Sequence, residues 1–261
     1  MRRLLPPPAV ELAPIDALAD FPEADGRLAV RAVMVQSVDG RVAVEGRSTP
    51  LTGPGDQRVY LANRALADVV VVGARTARDE GYGPSRLTPE LVAAREGHGR
   101  SPVPPVAVVS RSLDLDTDAA FFTAASARPL VITTTDSDPA GRRRIADHAD
   151  LIVLDAPLDP VTVCEALHAR GHRRAVLEGG PSLVASFLAA DRIDEFCVSL
   201  SPQIVGDGPG LSPGLAIPVG LSVHAVLEDD GFVVLLSRGG ARPRGSPPRR
   251  PWHPSPDGGA R

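Results

Sequence analysis

From residue 27 onward, short aliphatic runs alternate with segments in which apolar positions recur at helical spacing. The run from Leu28 to Val35 comes first, and the run from Asp68 to Gly73 contains four consecutive valines. Continuous aliphatic runs are typical of strands that a parallel sheet buries on both faces. Further strands are predicted at residues 105–110, 129–133, 151–154 and 174–178, and helices at 56–67, 141–148, 160–170 and 181–190. The alternation predicts an α/β protein with a mostly parallel central sheet flanked by helices.

The pattern changes after residue 190. Strands are predicted at residues 195–200, 222–228 and 231–237, and no helical pattern separates them. The tripeptide Asp-Asp-Gly at residues 229–231 stands between the last two strands and predicts a hairpin turn. The sheet is therefore expected to end in an antiparallel edge.

Three segments fall outside this alternation. Residues 1–25 are rich in Pro and Ala and are predicted to form an extended arm, which leaves residues 26–238 as one folded domain. Residues 80–104 mix Gly and Pro with charges and predict a long loop with one helical turn, a kind of segment that is usually functional or mobile. Residues 239–261 are dominated by Pro, Gly and Arg and are predicted to be a disordered tail.

Composition narrows the class of protein. Hydrophobic residues make up 43% of the chain but aromatic residues only 3%, so the core must be built mainly from aliphatic side chains. The formal net charge of -4 argues against a nucleic-acid partner. Cys164 and Cys197 lie in a predicted helix and a predicted strand, without metal-ligand spacing, so we expect buried thiols and neither a disulfide nor a metal site.

Targeting signals are not recognisable in the chain. The N-terminal sequence MRRLLPPPAV lacks the apolar segment of a secretory signal peptide, and no apolar run approaches the roughly 20 residues that a membrane span requires. We therefore expect a cytoplasmic protein with no membrane partner.

Several familiar catalytic motifs are missing from the sequence. It contains no GxGxxG after a first strand, no GxxxxGK[ST], no GxSxG and no HExxH. The H-x-E and P-C-x-x-C pair of the zinc deaminases is missing as well. Any chemistry must therefore come from the polar residues that follow the predicted strands.

The segment EGGPSLVASFLAADRIDEF, residues 178–196, is the most informative of these. Glu178 ends a predicted strand, Gly179 and Gly180 form a turn, and Pro181 suits the first position of a helix. Two glycines allow a ligand to approach the backbone, and the free N–H groups at the start of a helix favour a phosphate. The alternative interpretation is an ordinary surface turn.

Four other polar segments also follow predicted strands. Asp39 and Gly40 predict a turn from which Arg41 could bind a phosphate or a sugar. Thr76 and Glu80 would share one face if residues 74–80 are helical. The sequence Ser-Arg-Ser at residues 110–112 would suit the 2′-phosphate of NADPH, and SPQIVGDG at residues 201–208 is a Pro- and Gly-containing loop. Taken alone, the first of these segments is more typical of a plain turn, the second is equally typical of an ordinary helix start, and the third is weak because an arginine in a loop is usually solvated.

In this order and spacing, the five segments resemble the pyrimidine reductase of riboflavin biosynthesis, which is the reductase domain of the bifunctional deaminase-reductase. The matching pieces are SVDGRVA (37–43), ADVVVVGARTARDEGYG (67–83), EGGPSLVASFLAADRIDEF (178–196) and SPQIVGDG (201–208). The resemblance extends over residues 28–238. It implies a dihydrofolate-reductase-like fold, NADPH as cofactor, a homodimer, and reduction of a phosphorylated small molecule. That substrate is a 5-amino-6-ribosylamino-pyrimidine 5′-phosphate, and the product carries a ribitylamino group.

The resemblance also implies roles for individual residues. Substrate binding falls to Ser37, Asp39, Arg41 and Thr76. Cofactor binding falls to Gly73, Thr76, Ser110, Arg111, Gly179, Gly180, Ser182 and Leu183.

The reduction needs a group that protonates the departing ring oxygen or stabilises an iminium ion, and Glu80 and Glu178 are equal candidates for this catalytic role. Two positions depart from the family pattern. Arg41 stands where the family often has lysine. Glu80-Gly81-Tyr82 stands where the family usually has an acidic residue, then Asn or Asp, then Pro. A reductase acting on another small heterocycle or carbonyl, such as a pterin, and a non-catalytic nucleotide-binding protein stay open as alternatives.

Overall fold

The aliphatic runs form one mixed sheet of eleven strands. The computed structural model describes residues 1–215 and 218–239. In chain order the strands are β1 (Arg2–Leu5), β2 (Val10–Glu11), β3 (Ala29–Ser37), β4 (Val69–Gly73), β5 (Val106–Val109), β6 (Leu130–Thr134), β7 (Asp150–Leu154), β8 (Arg174–Leu177), β9 (Glu195–Ser201), β10 (Leu221–Asp229) and β11 (Phe232–Gly239). Every strand predicted from the sequence is present, with bounds that differ by at most two residues.

Helices connect the parallel strands. They are α1 (Pro14–Ala17), α2 (Pro54–Leu66), α3 (Ala74–Asp79), α4 (Pro89–Gly97), α5 (Ala120–Thr123), α6 (Pro139–Ala146), α7 (Pro160–Ala169) and α8 (Pro181–Ala189), with a 3₁₀ turn at Thr49–Leu51. None of the helices in the described part of the chain has both the length and the apolar character that crossing a bilayer demands.

The strand order is β2-β1-β10-β11-β9-β3-β8-β4-β5-β6-β7. Strands β9, β3, β8, β4, β5, β6 and β7 run parallel to their neighbours in that row, whereas β10 and β11 pair antiparallel and join the row at β9. The hairpin between β10 and β11 turns through Asp230 and Gly231, whose φ angles of 51° and 80° are those of a type I′ turn. The predicted α/β class, with a mostly parallel sheet and an antiparallel edge, is confirmed.

Both faces of the central parallel strands β3, β8, β4, β5 and β6 are largely buried, which explains their uninterrupted aliphatic sequences. Val69 and Val71 pack into the core on one face of the sheet, with α7 and α8, while Val70 and Val72 pack into a second core on the other face. Cys164 is a free, buried thiol in the first of these cores, and Cys197 is a free, buried thiol in a third core that packs against α2. Burial raises the pKa of each to about 12. The prediction that they are core residues is confirmed.

The segment 80–104 differs from its prediction as a loop with a single helical turn. It contains the nine-residue helix α4, which begins at Pro89 after Thr88, whose side chain accepts a hydrogen bond from the Leu91 N–H. Arg95 on this helix is buried, and its Nη1 donates hydrogen bonds to the carbonyls of Ala65 (2.9 Å) and Ala67 (2.5 Å) at the end of α2. Helix α4 is thus held by tertiary contacts that a local sequence pattern does not reveal.

The N-terminal segment belongs to the folded structure. Residues 1–25, predicted as an extended arm, include β1 and β2 at one edge of the sheet, the one-turn helix α1, and the buried side chains of Leu18 and Phe21. Of the predicted disordered tail, residues 240–261 lie outside the described residues.

Candidate active site

A cleft of about 1150 Å³ opens where β3, β4, β5 and β8 end. Val35, Gly73, Val109 and Glu178 mark these strand ends on its lining, and α2, α3 and the start of α8 form its walls. Clefts at the carboxyl ends of parallel strands are the usual ligand sites of open α/β sheets. Its volume lies slightly above the usual range for a single small ligand, so it has room for more than one.

The glycine turn before α8 approaches the end of β4 very closely. The Gly73 N–H donates a 2.8 Å hydrogen bond to the Gly179 carbonyl. Gly179 has a φ of 106°, a conformation that side chains disfavour, and a Cβ on Gly180 would lie 2.3 Å from Thr76 Oγ1. Both positions therefore require glycine.

The residues predicted to bind the cofactor meet along one side of the cleft. Seven of them line it, namely Gly73, Thr76, Ser110, Arg111, Gly180, Ser182 and Leu183. Gly179 lies directly behind this surface and binds Gly73 through its carbonyl.

This side of the cleft suits an anionic dinucleotide. No side chain caps the N–H groups at the start of α8, and no acidic residue stands in its first turn. These groups and the helix dipole favour a phosphate. Arg111 forms no salt bridge within residues 1–215 and 218–239, so its guanidinium is available for a second anionic group. The residues present therefore fit NADPH, with Ser182 at the start of α8 and Arg111 after β5 both on the cleft lining.

Glu178 is held by a buried ion pair beneath this turn. Arg64 Nε and Nη2 donate hydrogen bonds to Glu178 Oε1 and Oε2, at 2.7 Å each, and the Tyr82 hydroxyl donates to Oε2 at 2.6 Å. The side chains of Arg64 and Glu178 are only 5% and 3% exposed. Burial, reinforced by the Glu178 charge, raises the pKa of Tyr82 well above its usual value, so the phenol stays a donor. Both carboxylate oxygens of Glu178 are occupied.

Glu80 has a more open environment. It follows the last residue of α3, its N–H donates to the Thr76 carbonyl at 3.0 Å, and its side chain is half-buried in the cleft lining. Its Oε1 accepts a 2.6 Å hydrogen bond from the Ser48 N–H, and in the described part of the chain Oε2 has no such partner. Thr76 and Glu80 thus lie on the same cleft wall, as the helical spacing predicts.

Ser37, Asp39 and Arg41 do not line the cleft, in contrast to Thr76, the fourth predicted substrate-binding residue. Asp39 accepts hydrogen bonds from the Ser37 hydroxyl (2.6 Å) and the Gly206 N–H (2.7 Å), which hold its pKa at about 2. Arg41 Nε donates to the Gly206 carbonyl at 2.8 Å, and Nη1 donates to the Gly208 carbonyl at 3.2 Å. The three side chains tie the turn after β3 to the loop at residues 201–208.

Helix α2 contributes cleft residues that sequence reasoning missed. Asp56, Tyr60 and Arg64 are spaced at i, i+4 and i+8, so they share one face, and all three line the cleft. The Arg64 guanidinium lies over the Tyr60 ring, 4.4 Å from its centroid. The available signal was this regular row of polar and aromatic residues on a predicted helix. Tyr82 was also missed, because its partner Glu178 is 96 residues away.

Comparison with known proteins assigns the chain to a family. The family model of the RibD C-terminal domain matches residues 29–234. The chain belongs to the RibD C-terminal domain family. The five polar segments on which the resemblance rests all lie within the matched residues. The predicted membership of the pyrimidine reductase family is therefore confirmed.

Individual relatives of this RibD C-terminal domain are similar over most of its length. It is 31% identical over 172 residues to the 2,5-diamino-6-ribosylamino-4(3H)-pyrimidinone 5′-phosphate reductase of Methanothermobacter thermautotrophicus, covering 65% of this chain and 76% of that protein. It is 26% identical over 178 residues to the chloroplastic riboflavin biosynthesis protein PYRR of Arabidopsis thaliana, covering 68% of this chain but only 28% of the plant protein. The chain thus spans about a quarter of the plant relative and most of the archaeal one.

A solved structure shows the same fold. A pyrimidine reductase-like protein from Corynebacterium diphtheriae superimposes with a TM-score of 0.74 at 25% sequence identity, covering 82% of this chain and 93% of that protein. The RibD C-terminal domain described here therefore shares its α/β architecture over nearly the whole of that neighbour.

Proposed function

We propose that this RibD C-terminal domain is an NADPH-dependent reductase of riboflavin biosynthesis. It would convert a 5-amino-6-ribosylamino-pyrimidine 5′-phosphate into the ribitylamino product. One observation carries the proposal: a single cleft contains both the glycine turn at the start of α8 and the carboxylate of Glu80, of which only Oε1 accepts a hydrogen bond within the described residues. The archaeal relative named as a reductase of such a substrate supports the same activity. Neither a pterin-like substrate nor a non-catalytic nucleotide-binding role is favoured by any of these features.

The chain offers two anion sites for the cofactor. The N–H groups around Gly180 and Ser182 would bind its pyrophosphate, and Ser110 with Arg111 would bind its 2′-phosphate. When bound, NADPH supplies the hydride that reduces C1′ of the substrate. The close contact between Gly180 and Thr76 would keep the backbone of this turn within reach of the ligand.

Glu80 is the carboxylate that we assign to proton transfer. The reaction breaks the bond between C1′ and the ring oxygen of the ribose, and that oxygen must receive a proton. Glu80 faces the cleft with Oε1 held by the Ser48 N–H, so the geometry leaves Oε2 for the substrate. Thr76, on the same wall, would orient the sugar through its hydroxyl.

Glu178 has a different part in this proposal. Its oxygens already accept hydrogen bonds from Arg64 and Tyr82, so a proton could reach the substrate from Glu178 only if those bonds broke. We therefore assign it to positioning: it holds the glycine turn against α2. Between the two candidates that the sequence left equal, the contacts favour Glu80 for catalysis.

Ser37, Asp39 and Arg41 would act on the substrate indirectly. They hold the loop at residues 201–208, which continues into Pro209 and Pro213 on the cleft lining. A direct contact between Arg41 and the substrate phosphate would require its guanidinium to leave the two carbonyls that it now binds.

The activity is tested by following NADPH oxidation at 340 nm with the phosphorylated ribosylamino-pyrimidine as substrate. Turnover that disappears with the dephosphorylated substrate would support the proposal. NADPH binding without turnover of either the 2-amino or the uracil form of the substrate would contradict it.

We also propose a homodimer. The face of β10 and β11 that turns away from α2 carries the exposed side chain of Val223 and the half-buried side chains of Val226, Val233 and Leu235. A second copy would cover this aliphatic face, and sedimentation equilibrium showing a monomer at micromolar concentration would contradict it. Cytoplasmic localisation stays a prediction.

A further inference from the structure

A buried arginine on α4 has no role in the proposal above. Arg95 is 2% exposed, and in the described part of the chain it forms no salt bridge, unlike its neighbour Arg100. Burial, together with the charge of Arg100, lowers the pKa of Arg95 to about 10, so the side chain is still a cation at neutral pH. A buried charge is costly unless its surroundings supply compensating partners. The partners of Arg95 therefore indicate its role.

The partners of Arg95 on α2 are backbone carbonyls. Its Nη1 donates hydrogen bonds to three of them at the end of the helix, those of Arg64 (3.2 Å), Ala65 (2.9 Å) and Ala67 (2.5 Å). Arg100 Nη1 donates to the carbonyl between them, that of Leu66, at 2.8 Å. The last carbonyls of an α-helix have no partner within the helix and carry the negative end of its dipole. Two arginines from one short segment thus satisfy four consecutive carbonyls.

The same segment is also joined to the start of β8. Arg100 Nε lies 3.7 Å from Asp68 Oδ1, and Asp68 Oδ2 accepts hydrogen bonds from the N–H groups of Arg173 (2.8 Å) and Arg174 (2.9 Å). Arg174 is the first residue of β8, the strand that ends immediately before Glu178. We call Arg95 and Arg100 the arginine clasp, because together they attach α2 and β8 to one segment of the chain.

The arginine clasp holds the two elements that carry the buried ion pair. Arg64 belongs to α2, and Glu178 follows β8. One of the carbonyls that Arg95 binds is that of Arg64 itself, so the clasp fixes the main chain from which the guanidinium reaches Glu178. A misplacement of about 1 Å that begins far from the chemistry can lower a reaction rate about 100-fold. The position of the glycine turn is therefore sensitive to the clasp.

A second wall of the cleft depends on the arginine clasp as well. Residues 80–84 line the cleft and continue into α4, which carries Arg95. At the cleft, this segment is held by the hydrogen bond from the Ser48 N–H to Glu80 and by that from the Tyr82 hydroxyl to Glu178. At α4 it is held by the clasp. The wall that carries Glu80 is thus fixed at both of its ends.

We infer that Arg95 is a positioning residue of the proposed reductase, which holds the Arg64–Glu178 pair and the wall that carries Glu80 in their mutual arrangement. The inference rests on the proposed function and deepens it by adding a residue that the reaction requires. Arg95 does not line the cleft, so its effect on the ligands must pass through Arg64, Glu178 and Glu80.

Variants of Arg95 test the inference through NADPH affinity, which fluorescence titration measures without a substrate. Arg95→Met removes every hydrogen bond from this side chain to α2 and should raise the Kd for NADPH about tenfold, the order that hydrogen bonds from a charged group contribute. Arg95→Lys keeps three donors on one nitrogen and should recover most of the affinity. In the control Arg128→Met, the lost side chain donates to the Ala146 carbonyl at the end of α6 and does not line the cleft, so the Kd should stay the same. An unchanged Kd in Arg95→Met overturns the inference.

A double-mutant cycle separates positioning from a general loss of stability. Glu178→Gln should also weaken NADPH binding, because Glu178 holds the glycine turn. If Arg95 acts through Glu178, the double variant should have nearly the same Kd as the weaker-binding single variant. A Kd that rises by the product of the two single fold-changes overturns the inference. If Arg95→Met does not fold, Arg100→Met carries the same cycle, since this second side chain of the clasp is 24% exposed and its loss is milder.

The inference and the proposed function fail in different measurements. The cycle uses NADPH alone, so a non-additive Kd supports the positioning role even if no pyrimidine is reduced and the proposed function fails. If the phosphorylated pyrimidine is reduced but the two fold-changes multiply, the proposed function stands and the inference is overturned.

Discussion

The carboxylate of Glu178 receives both hydrogen bonds of a bidentate pair from Arg64, at 2.7 Å each, although 114 residues separate the two in sequence. The pair joins α2 to the end of β8, immediately before the glycine turn that leads into α8. Because both side chains are buried, loss of either one leaves an uncompensated charge in the interior. The shape of the cleft therefore depends on this pair.

Arg64→Ala is expected to lower the free energy of unfolding by about 3–5 kcal/mol, the usual cost of breaking a buried ion pair. Urea unfolding at neutral pH would measure it. The matched control is Arg58→Ala on the same helix. The Arg58 side chain is 44% exposed and forms a salt bridge with Asp229. That change should cost about 0–1 kcal/mol. Equal losses in the two variants would contradict the importance assigned to the buried pair.

Glu80→Gln should lower kcat by about 10²–10⁴-fold, the usual contribution of a general acid. The Kd for NADPH should stay unchanged, because the amide can still accept a hydrogen bond from the Ser48 N–H. Single-turnover kinetics and fluorescence titration with NADPH would measure the two quantities. Asp114→Asn, at an exposed carboxylate that pairs with Arg78 and does not line the cleft, serves as the control and should retain activity. A large loss of NADPH affinity in Glu80→Gln would indicate a structural role instead.

Glu178→Gln distinguishes catalysis from positioning at that residue. If Glu178 were the proton donor, the substitution would lower kcat far more than NADPH affinity. Because its oxygens accept from Arg64 and Tyr82 and hold the glycine turn, we expect turnover and NADPH affinity to fall together. The same kinetic and fluorescence measurements apply, and a selective loss of kcat would return Glu178 to the catalytic role.

Gly180→Ala should destabilise the protein by about 1–3 kcal/mol, as overpacking of a tight contact does. The added Cβ would lie 2.3 Å from Thr76 Oγ1, so the turn would have to shift and NADPH binding should weaken. The double variant with Thr76→Ala should recover much of the stability, because that oxygen is gone. Gly97→Ala, at a helical position with no atom within 4 Å of the added Cβ, is the control and should be neutral or slightly stabilising.

Asp39→Asn is predicted to flatten the acid dependence of stability. The carboxyl has a pKa of about 2 in the folded protein, because the Ser37 hydroxyl and the Gly206 N–H favour its charged form. In the unfolded chain its pKa would be about 3.9. The stabilisation is therefore present above pH 4 and is lost as the pH falls from about 4 to about 2. Thermal melts across this range should show a shallower fall in Tm for Asp39→Asn, and parallel curves would refute the prediction.

The strands were predictable because their signal is local. The valines of β4 are buried on alternating faces, so burial alone produces the aliphatic run that the sequence displays. Helix α4 gave no comparable signal, since its stability depends on Arg95 reaching the carbonyls at the end of α2. Those carbonyls lie about 30 residues away, beyond the reach of any periodicity.

The candidate site divides in the same way. The Gly179–Gly180 turn and Thr76 were found because a strand end followed by a helix start is visible in the sequence. The sequence does not reveal which group a long side chain will contact. Arg41 could bind either a phosphate or the carbonyl of Gly206, and in the folded protein it binds the carbonyl. Asp56 was missed because an acid at the start of a helix has an ordinary explanation in the helix dipole.

The protein has only two tyrosines, Tyr60 and Tyr82, and both belong to the cleft lining. Its single tryptophan, Trp252, falls in the segment 240–261. A Trp252→Phe variant would therefore emit ultraviolet fluorescence dominated by this one cleft, without any attached dye. Burial raises the pKa of both phenols above their usual value near 10, so alkaline absorbance titration would report the opening of the same place. Tyrosine fluorescence and absorbance of this variant would therefore report directly on the candidate active site.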